Sequence, residues 1–188
     1  MATFVTHPLL GAALADLARR RDLDMRRFVL ATAMCHWLPD LDSVACLTSL
    51  DAHSPWAHRG FAHSLLAAVV IGALGAYFFE RSARGGRRLA LWVWFASVTA
   101  LHGVVDALVA GSVGIAFFWP FDIGRYLFAW QPLVDAPVAM QALLGPLWRA
   151  LLVESVFFGG LFALLKLGRL GIERRKAPAL PEPYPEPS

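Results

Sequence analysis

Apolar and polar residues alternate in blocks along this chain, and the apolar blocks predict helices. Apolar residues at helical spacing occupy roughly positions 3–19, 26–38, 61–80, 89–110 and 146–168. The runs at 61–80 and 89–110 are long enough to cross a bilayer, which takes about 20 residues. The run at 26–38 is shorter and stops at Pro39, so we expect a tilted, partly inserted or protein-buried helix. Positions 111–145 are rich in glycine, proline and aromatic residues, and we expect a loop with short interfacial pieces.

The composition indicates that these helices belong to a membrane protein. Of the 188 residues, 57% are hydrophobic and only 16% are charged, whereas a soluble domain has about 25% charged residues. We therefore expect an all-α integral membrane protein, with about five helical segments in one compact bundle over residues 1–176. Residues 177–188 are rich in proline and glutamate and are expected to be a disordered tail. Cys35 and Cys46 are too few for a disulfide framework or a cysteine metal motif.

The distribution of charge predicts an orientation. If the five segments alternate in direction, three connections lie on one side of the membrane, and they hold 14 of the 17 lysine and arginine residues: Arg19, Arg20, Arg21, Arg26, Arg27, Arg81, Arg84, Arg87, Arg88, Lys166, Arg169, Arg174, Arg175 and Lys176. The positive-inside rule makes this side, with the C-terminus, cytoplasmic in a multi-pass protein of the bacterial inner membrane. The outer side then holds all six histidines: His7, His36, His53, His58, His63 and His102. The basic residues are not interleaved with aromatic ones, so we expect the lipid bilayer, and no nucleic acid, as a partner.

The candidate chemistry centres on the segment from His58 to Ser64. It places two imidazoles and a guanidinium directly before an apolar run, where polar groups are costly unless they bind something. His102 and Asp106 are four positions apart and share one helix face. Asp40 and Asp42 flank one residue, and in an extended segment their side chains would point the same way. Imidazole and carboxylate donors without thiolate favour zinc, manganese or iron.

These patterns assign a role to each candidate residue. Six residues are predicted to bind metal: His7, Asp40, Asp42, His63, His102 and Asp106. Glu154 and His58 are predicted to be catalytic acid or base groups, or additional ligands. Arg59 is a further catalytic candidate, and Arg59 and Arg125 are predicted to bind a phosphate or carboxylate oxygen of the substrate.

Each candidate also has a structural explanation. An intramembrane histidine, aspartate or glutamate can serve as a hydrogen bond between helices. His7 can cap the start of a helix, and the arginines can reach the interface or form ion pairs. His36 and His53 are expected to be interfacial or loop residues.

Several short motifs, in order along the chain, resemble the YdjM-type family of membrane-bound metal-dependent hydrolases. They are Thr6-His7, Leu-Pro-Asp-Leu-Asp at 38–42, His-Arg-Gly-Phe-Ala-His-Ser at 58–64, His-Gly-Val-Val-Asp at 102–106, Phe-Trp-Pro-Phe at 118–121, Arg125-Tyr126 and Glu154. The chain departs from the family pattern at Ala62, usually a threonine, and at Ser43, often a histidine. The resemblance implies a helical membrane hydrolase, distantly similar to zinc-dependent phospholipase C, which also uses a His-x-x-x-Asp pair.

The first hypothesis for function is therefore a membrane-embedded metal-dependent hydrolase. It would act on a phosphoester or lipid-like substrate through a metal-activated water, with zinc as the expected ion and manganese as the other choice. The alternative is a non-enzymatic membrane protein that binds or transports metal ions or protons. A membrane scaffold without a bound metal is the third option.

Overall fold

The structure, a computed structural model, describes residues 3–18, 22–48, 50–135 and 147–176, and these are mainly helical. The five described α-helices are α1 (Thr6–Ala18), α2 (Met25–Trp37), α3 (Leu65–Phe79), α4 (Gly85–Asp106) and α5 (Leu147–Lys176). Two 3-10 helices cover Leu38–Leu47 and Phe61–His63, and β1 (Val109–Ala110) pairs in parallel with β2 (Leu133–Val134). The predicted all-α class with five helical segments is confirmed. The expected tail at 177–188 lies outside the described residues.

Within the described ranges, two helices have the length and composition needed to cross a membrane: α4, and α5 over Leu147–Ile172. The third apolar helix, α3, has 15 residues and is shorter than the run predicted at 61–80. The difference arises at Ser64, whose side chain accepts a hydrogen bond from the backbone N–H of Ala67 and so caps the start of α3. The residues before it form a separate 3-10 turn, which carries His63 away from the helix.

Small residues allow the helices to approach closely. A Cβ atom added to Gly72 of α3 would lie 2.5 Å from the backbone nitrogen of Ala96 in α4. A Cβ atom added to Gly11 of α1 would lie 2.8 Å from the Cα of Ala33 in α2. Such contacts are typical of helix pairs in membranes, where packing rather than the hydrophobic effect holds helices together.

Hydrogen bonds and ion pairs connect several elements at one end of the bundle. Arg87, near the start of α4, contacts Asp22 at 2.9 Å and Glu80 at 2.8 Å. Arg169 in the second half of α5 donates to the carbonyl of Leu17 at the end of α1. The predicted histidine-rich segments lie at the other end, where α3 begins and α4 finishes. The bundle therefore has a basic end and a histidine end.

Candidate metal centre

Four segments that are distant in sequence bring their polar side chains together at the histidine end. His102 and Asp106 come from the last turns of α4, and His7 comes from the first turn of α1. Asp40 lies in the longer 3-10 helix and His63 in the shorter one. His7, Asp40, His102 and Asp106 are completely buried, and His63 is nearly so. Burying so many ionisable groups in one place is unfavourable unless they share a counter-ion or a ligand.

The side-chain atoms of these residues are spaced like the ligands of one cation. The Nε2 atom of His102 lies 3.4 Å from Asp40 Oδ1 and 3.0 Å from His63 Nε2. The Nε2 atom of His7 lies 3.4 Å from Asp106 Oδ1 and 3.9 Å from Asp40 Oδ2. Ligands about 2.0 Å from a tetrahedral zinc ion are separated from each other by about 3.3 Å. His7, Asp40, His102 and Asp106 each offer an atom within 4.8 Å of the others.

The hydrogen bonds of this pocket are incomplete in the way that a metal site requires. Within the described parts of the chain, neither oxygen of Asp40 and neither ring nitrogen of His7 has a hydrogen-bond partner. The imidazoles around Asp40 lie within ion-pair distance but do not meet hydrogen-bond geometry. Burial raises the pKa of Asp40, but His102 and His63 outweigh burial and hold its pKa well below the usual range. An ionised, buried carboxylate among imidazole nitrogens fits a divalent cation.

Asp42 makes a different set of contacts from Asp40. It accepts hydrogen bonds from His58 Nδ1 at 2.5 Å, His63 Nδ1 at 3.1 Å and the backbone N–H of Arg59 at 3.3 Å. Because His63 donates through Nδ1, its Nε2 faces the pocket, where it can bind an ion that displaces its proton. Burial raises the pKa of Asp42, but the hydrogen bonds from His58 and His63 lower it below the ordinary value.

The expectation that Asp40 and Asp42 project from an extended segment is wrong. Pro39 ends α2 but stands in the first turn of the 3-10 helix Leu38–Leu47, where its missing N–H is tolerated. In a 3-10 helix, residues two apart point in different directions. Asp40 therefore faces the pocket, whereas Asp42 faces His58 and His63. Among the described residues, Asp42 is in none of the groups that could share one ion.

Arg59, predicted to be catalytic and substrate-binding, lies at the edge of the pocket. Its Nε atom donates to Asp106 Oδ2 at 3.1 Å, and its side chain is almost completely buried. Its backbone has a φ angle of 67°, an uncommon value for a residue with a side chain. Among the described atoms, Nη2 makes no hydrogen bond and lies 3.9 Å from Asp135 Oδ1. Arg59 thus holds the candidate ligand Asp106 in place through Nε, and its Nη2 remains available to donate a hydrogen bond.

The Arg125 guanidinium, predicted to bind substrate, contacts backbone carbonyls. It donates to the carbonyl oxygens of Ser54, His58, Arg59 and Gly114 at 3.0–3.5 Å. These bonds hold the segment around His58 and Arg59 against the loop that follows α4.

Arg125 also lines a cavity of about 490 Å³. His53, Pro55, Trp119 and Ile123 line the same cavity.

The Glu154 carboxylate, predicted to be an acid or base, is held by threonines near the chain's beginning. Its Oε1 accepts from the backbone N–H of Thr3 at 2.7 Å, and its Oε2 accepts from the hydroxyls of Thr3 at 2.6 Å and Thr6 at 2.5 Å. Glu154 is 1% exposed. Among the described residues, Glu154 belongs to none of the groups that could share one metal ion. Its catalytic role stays a prediction, and its contacts tie α5 to the residues that precede His7.

His36 was expected at an interface or in a loop, and that expectation is wrong. It lies in α2, is completely buried, and its ring is 5.4 Å from that of His7 and 5.6 Å from that of His102. The sequence does contain a signal for this position. His36 continues the buried stripe of Phe28 and Thr32 at four-residue spacing. His53 lies on the surface.

Comparisons with known proteins agree with the motifs. A family model described as YdjM inner membrane protein matches residues 1–176. Inner membrane protein YbcI of Escherichia coli (strain K12) is 25% identical over 175 residues, which cover 93% of this chain and 100% of that protein. No solved structure matches the chain. The chain belongs to the YdjM family of inner membrane proteins.

Proposed function

We propose that this protein is a metal-dependent hydrolase of the bacterial inner membrane, acting on a phosphoester or lipid-like substrate. The observation that carries the proposal is Asp40: a completely buried carboxylate without a hydrogen-bond donor among the described residues, surrounded by the Nε2 atoms of three histidines. A carboxylate buried without a hydrogen bond is costly, and a bound cation would offset that cost.

The residues available to hold metal are His7, Asp40, His63, His102 and Asp106, which belong to overlapping groups that could each share one ion. Their nitrogen and oxygen donors suit zinc first and manganese second. When bound, a divalent cation of this kind acts as a Lewis acid and lowers the pKa of a coordinated water to near neutrality. Asp42 keeps the Nε2 lone pair of His63 directed into the pocket, and Arg59 holds Asp106.

Two further side chains supply what hydrolysis requires besides the ion. The Arg59 Nη2 group is a donor suited to an anionic oxygen of the substrate, such as that of a phosphodiester. His58 donates through Nδ1 to Asp42, so its Nε2 can take a proton from the attacking water and then pass it to the leaving group. The His58 side chain is 10% exposed, so it connects the buried ligands with the surface.

The proposed setting is a single membrane domain over residues 1–176, crossing the bilayer several times. The C-terminus would be cytoplasmic, and the metal centre would face outward. This orientation is supported by the basic end of the bundle, where Arg87 and Arg169 lie, opposite the histidine end.

Elemental analysis of detergent-purified protein tests the proposal. We expect at least one zinc or manganese ion per chain in the wild type and at least one fewer in Asp106→Ala and Asp106→Asn. His53→Ala, a change at a surface histidine, should keep the wild-type content. The wild type should also hydrolyse a chromogenic phosphodiester or ester, and the Asp106 variants should not.

Two results would contradict the proposal. Wild-type protein without metal, even after incubation with zinc or manganese, would remove the metal centre. Protein that exchanges its metal quickly, moves it across liposomes and hydrolyses nothing would establish the transport alternative instead.

A further inference from the structure

The tautomer of His36 is fixed by its environment. Its Nδ1 atom lies 2.9 Å from the backbone carbonyl oxygen of Val98 in α4. A carbonyl only accepts hydrogen bonds, so Nδ1 carries the proton and Nε2 carries a lone pair. This Nε2 is buried and has no hydrogen-bond partner among the described residues. Metal-ligating histidines have the same arrangement: one ring N–H donates to a backbone carbonyl, and the other nitrogen is unprotonated and free to bind an ion.

His36 faces two other imidazoles. His7 and His102 pack beside it, and each of the three residues offers a nitrogen within 4.8 Å of the others. All three side chains are completely buried. The Nδ1 atoms of His7 and His102 also lack hydrogen-bond partners within the described ranges. A hydrogen bond between α2 and α4 would need only the Nδ1 atom of His36. It would not explain why the neighbouring nitrogens of His7 and His102 lack hydrogen-bond partners.

Two of the three groups of candidate ligands among the described residues have no common member. One set is His7, His36 and His102, and the other is Asp40, His58, His63 and Asp106. A third group shares residues with both sets, so the two sets are neighbours in space; it contains His7, Asp40, His102 and Asp106. Seven residues exceed the four ligands of a usual zinc site, but they suit two neighbouring ions.

We propose that the centre has two cation positions, and that His36 with His7 and His102 forms the second. The first position, which rests on the proposed function, is rich in carboxylates: it keeps Asp40, His63 and Asp106, while His7 and His102 bind the second ion. The second consists of three neutral imidazoles, a donor set that selects zinc or another late first-row transition metal over magnesium, calcium or manganese. An ion bound by imidazole nitrogens would thus lie next to an ion bound mainly by carboxylates.

The test counts zinc in the full-length protein in detergent. Protein loaded with zinc and freed of loosely bound metal by gel filtration should hold two ions per chain. His36→Ala and His36→Gln should each hold one, and His53→Ala should hold two. The glutamine variant keeps a side-chain amide near Val98 and guards against loss of folding in the alanine variant. Cobalt(II) titration gives a second readout, because the visible absorption of a nitrogen-rich site should be lost from both His36 variants.

The outcomes separate this inference from the proposed function. Equal zinc content in wild type and folded His36 variants would overturn the second position while leaving hydrolysis untouched. Two ions in the wild type and one in the His36 variants, without hydrolysis of any phosphodiester or ester, would support the second position and overturn the hydrolase. Wild-type protein that holds no zinc would overturn both.

Discussion

Two buried carboxylates show how differently this protein treats the same chemical group. Glu154, 1% exposed, receives three hydrogen bonds from Thr3 and Thr6. Asp40, 0% exposed, has no hydrogen-bond donor among the described residues and faces imidazole nitrogens at 3.4–3.9 Å. The Glu154 pocket is complete as the chain folds, whereas the Asp40 pocket becomes complete only with the cation that we propose. Burial alone therefore does not mark a functional carboxylate; the nature of its neighbours does.

Asp40→Asn should weaken metal binding more than any other substitution considered. The substitution keeps the shape of the side chain and removes the charge that a cation requires. We expect the zinc affinity of the carboxylate-rich position to fall at least about 100-fold, since even residues outside the direct ligand set change metal affinity by 10–100-fold. Competition with a zinc-binding dye measures the change. An unaltered affinity would show that Asp40 is not a ligand.

Glu154→Ala should affect stability more than metal binding. It removes the acceptor of three hydrogen bonds from Thr3 and Thr6, and we expect the free energy of unfolding to fall by about 3 kcal/mol with or without zinc. Zinc should still raise the melting temperature, because the ligands remain. The zinc affinity should weaken less than about 10-fold, through looser placement of His7. A loss of metal binding comparable to that of Asp40→Asn would instead place Glu154 in the centre.

The third prediction concerns pH and His63. Burial lowers its pKa, but the carboxylates of Asp40 and Asp42 outweigh burial and raise the pKa to about 9. Since the folded pKa is above the unfolded value of 6.5, this group stabilises the metal-free protein fully below pH 6.5. The contribution is lost as the pH rises through 9.

Melting curves of metal-free protein between pH 6 and 10 check this prediction. The wild type should lose stability over that window, and His63→Gln should show a flatter profile. Zinc should also bind more tightly toward pH 9, because the ion displaces a proton from His63. A pH profile that is identical in wild type and variant would contradict the assignment.

The smallest effect should come from the basic end. Arg87 pairs with Asp22 and Glu80, but its side chain is 38% exposed, and exposed ion pairs contribute little. Arg87→Gln should change the melting temperature by no more than the measurement error and leave the zinc content unchanged. A large loss of either would mean that the two ends of the bundle are coupled.

The helices and part of the centre were predictable because both follow local spacing. His102 and Asp106 share a helix face at four-residue spacing, and the structure buries them together. The positions of the apolar runs likewise predicted α3, α4 and α5 to within a few residues, apart from the C-terminal extension of α5 to Lys176.

Other features depend on contacts that no local pattern contains. Glu154 and Thr3 are 151 positions apart, so the completeness of that pocket could not be deduced from either segment. The orientation of Asp42 depended on a 3-10 helix after Pro39, although proline there equally suggests an extended turn. The burial of His36 could have been deduced from the helix stripe that it shares with Phe28. The position of the lone pair on its Nε2 atom could not, because it depends on the carbonyl of Val98 in another helix.

X-ray absorption spectroscopy of the zinc-loaded protein identifies the atoms that bind the ion. We expect nitrogen and oxygen ligands at about 2.0–2.1 Å with the outer-shell scattering of several imidazoles. It also predicts no sulfur, because neither Cys35 nor Cys46 belongs to the described groups that could share an ion. Sulfur scattering at about 2.3 Å, or a shell of oxygen without imidazole, would contradict a histidine and aspartate centre.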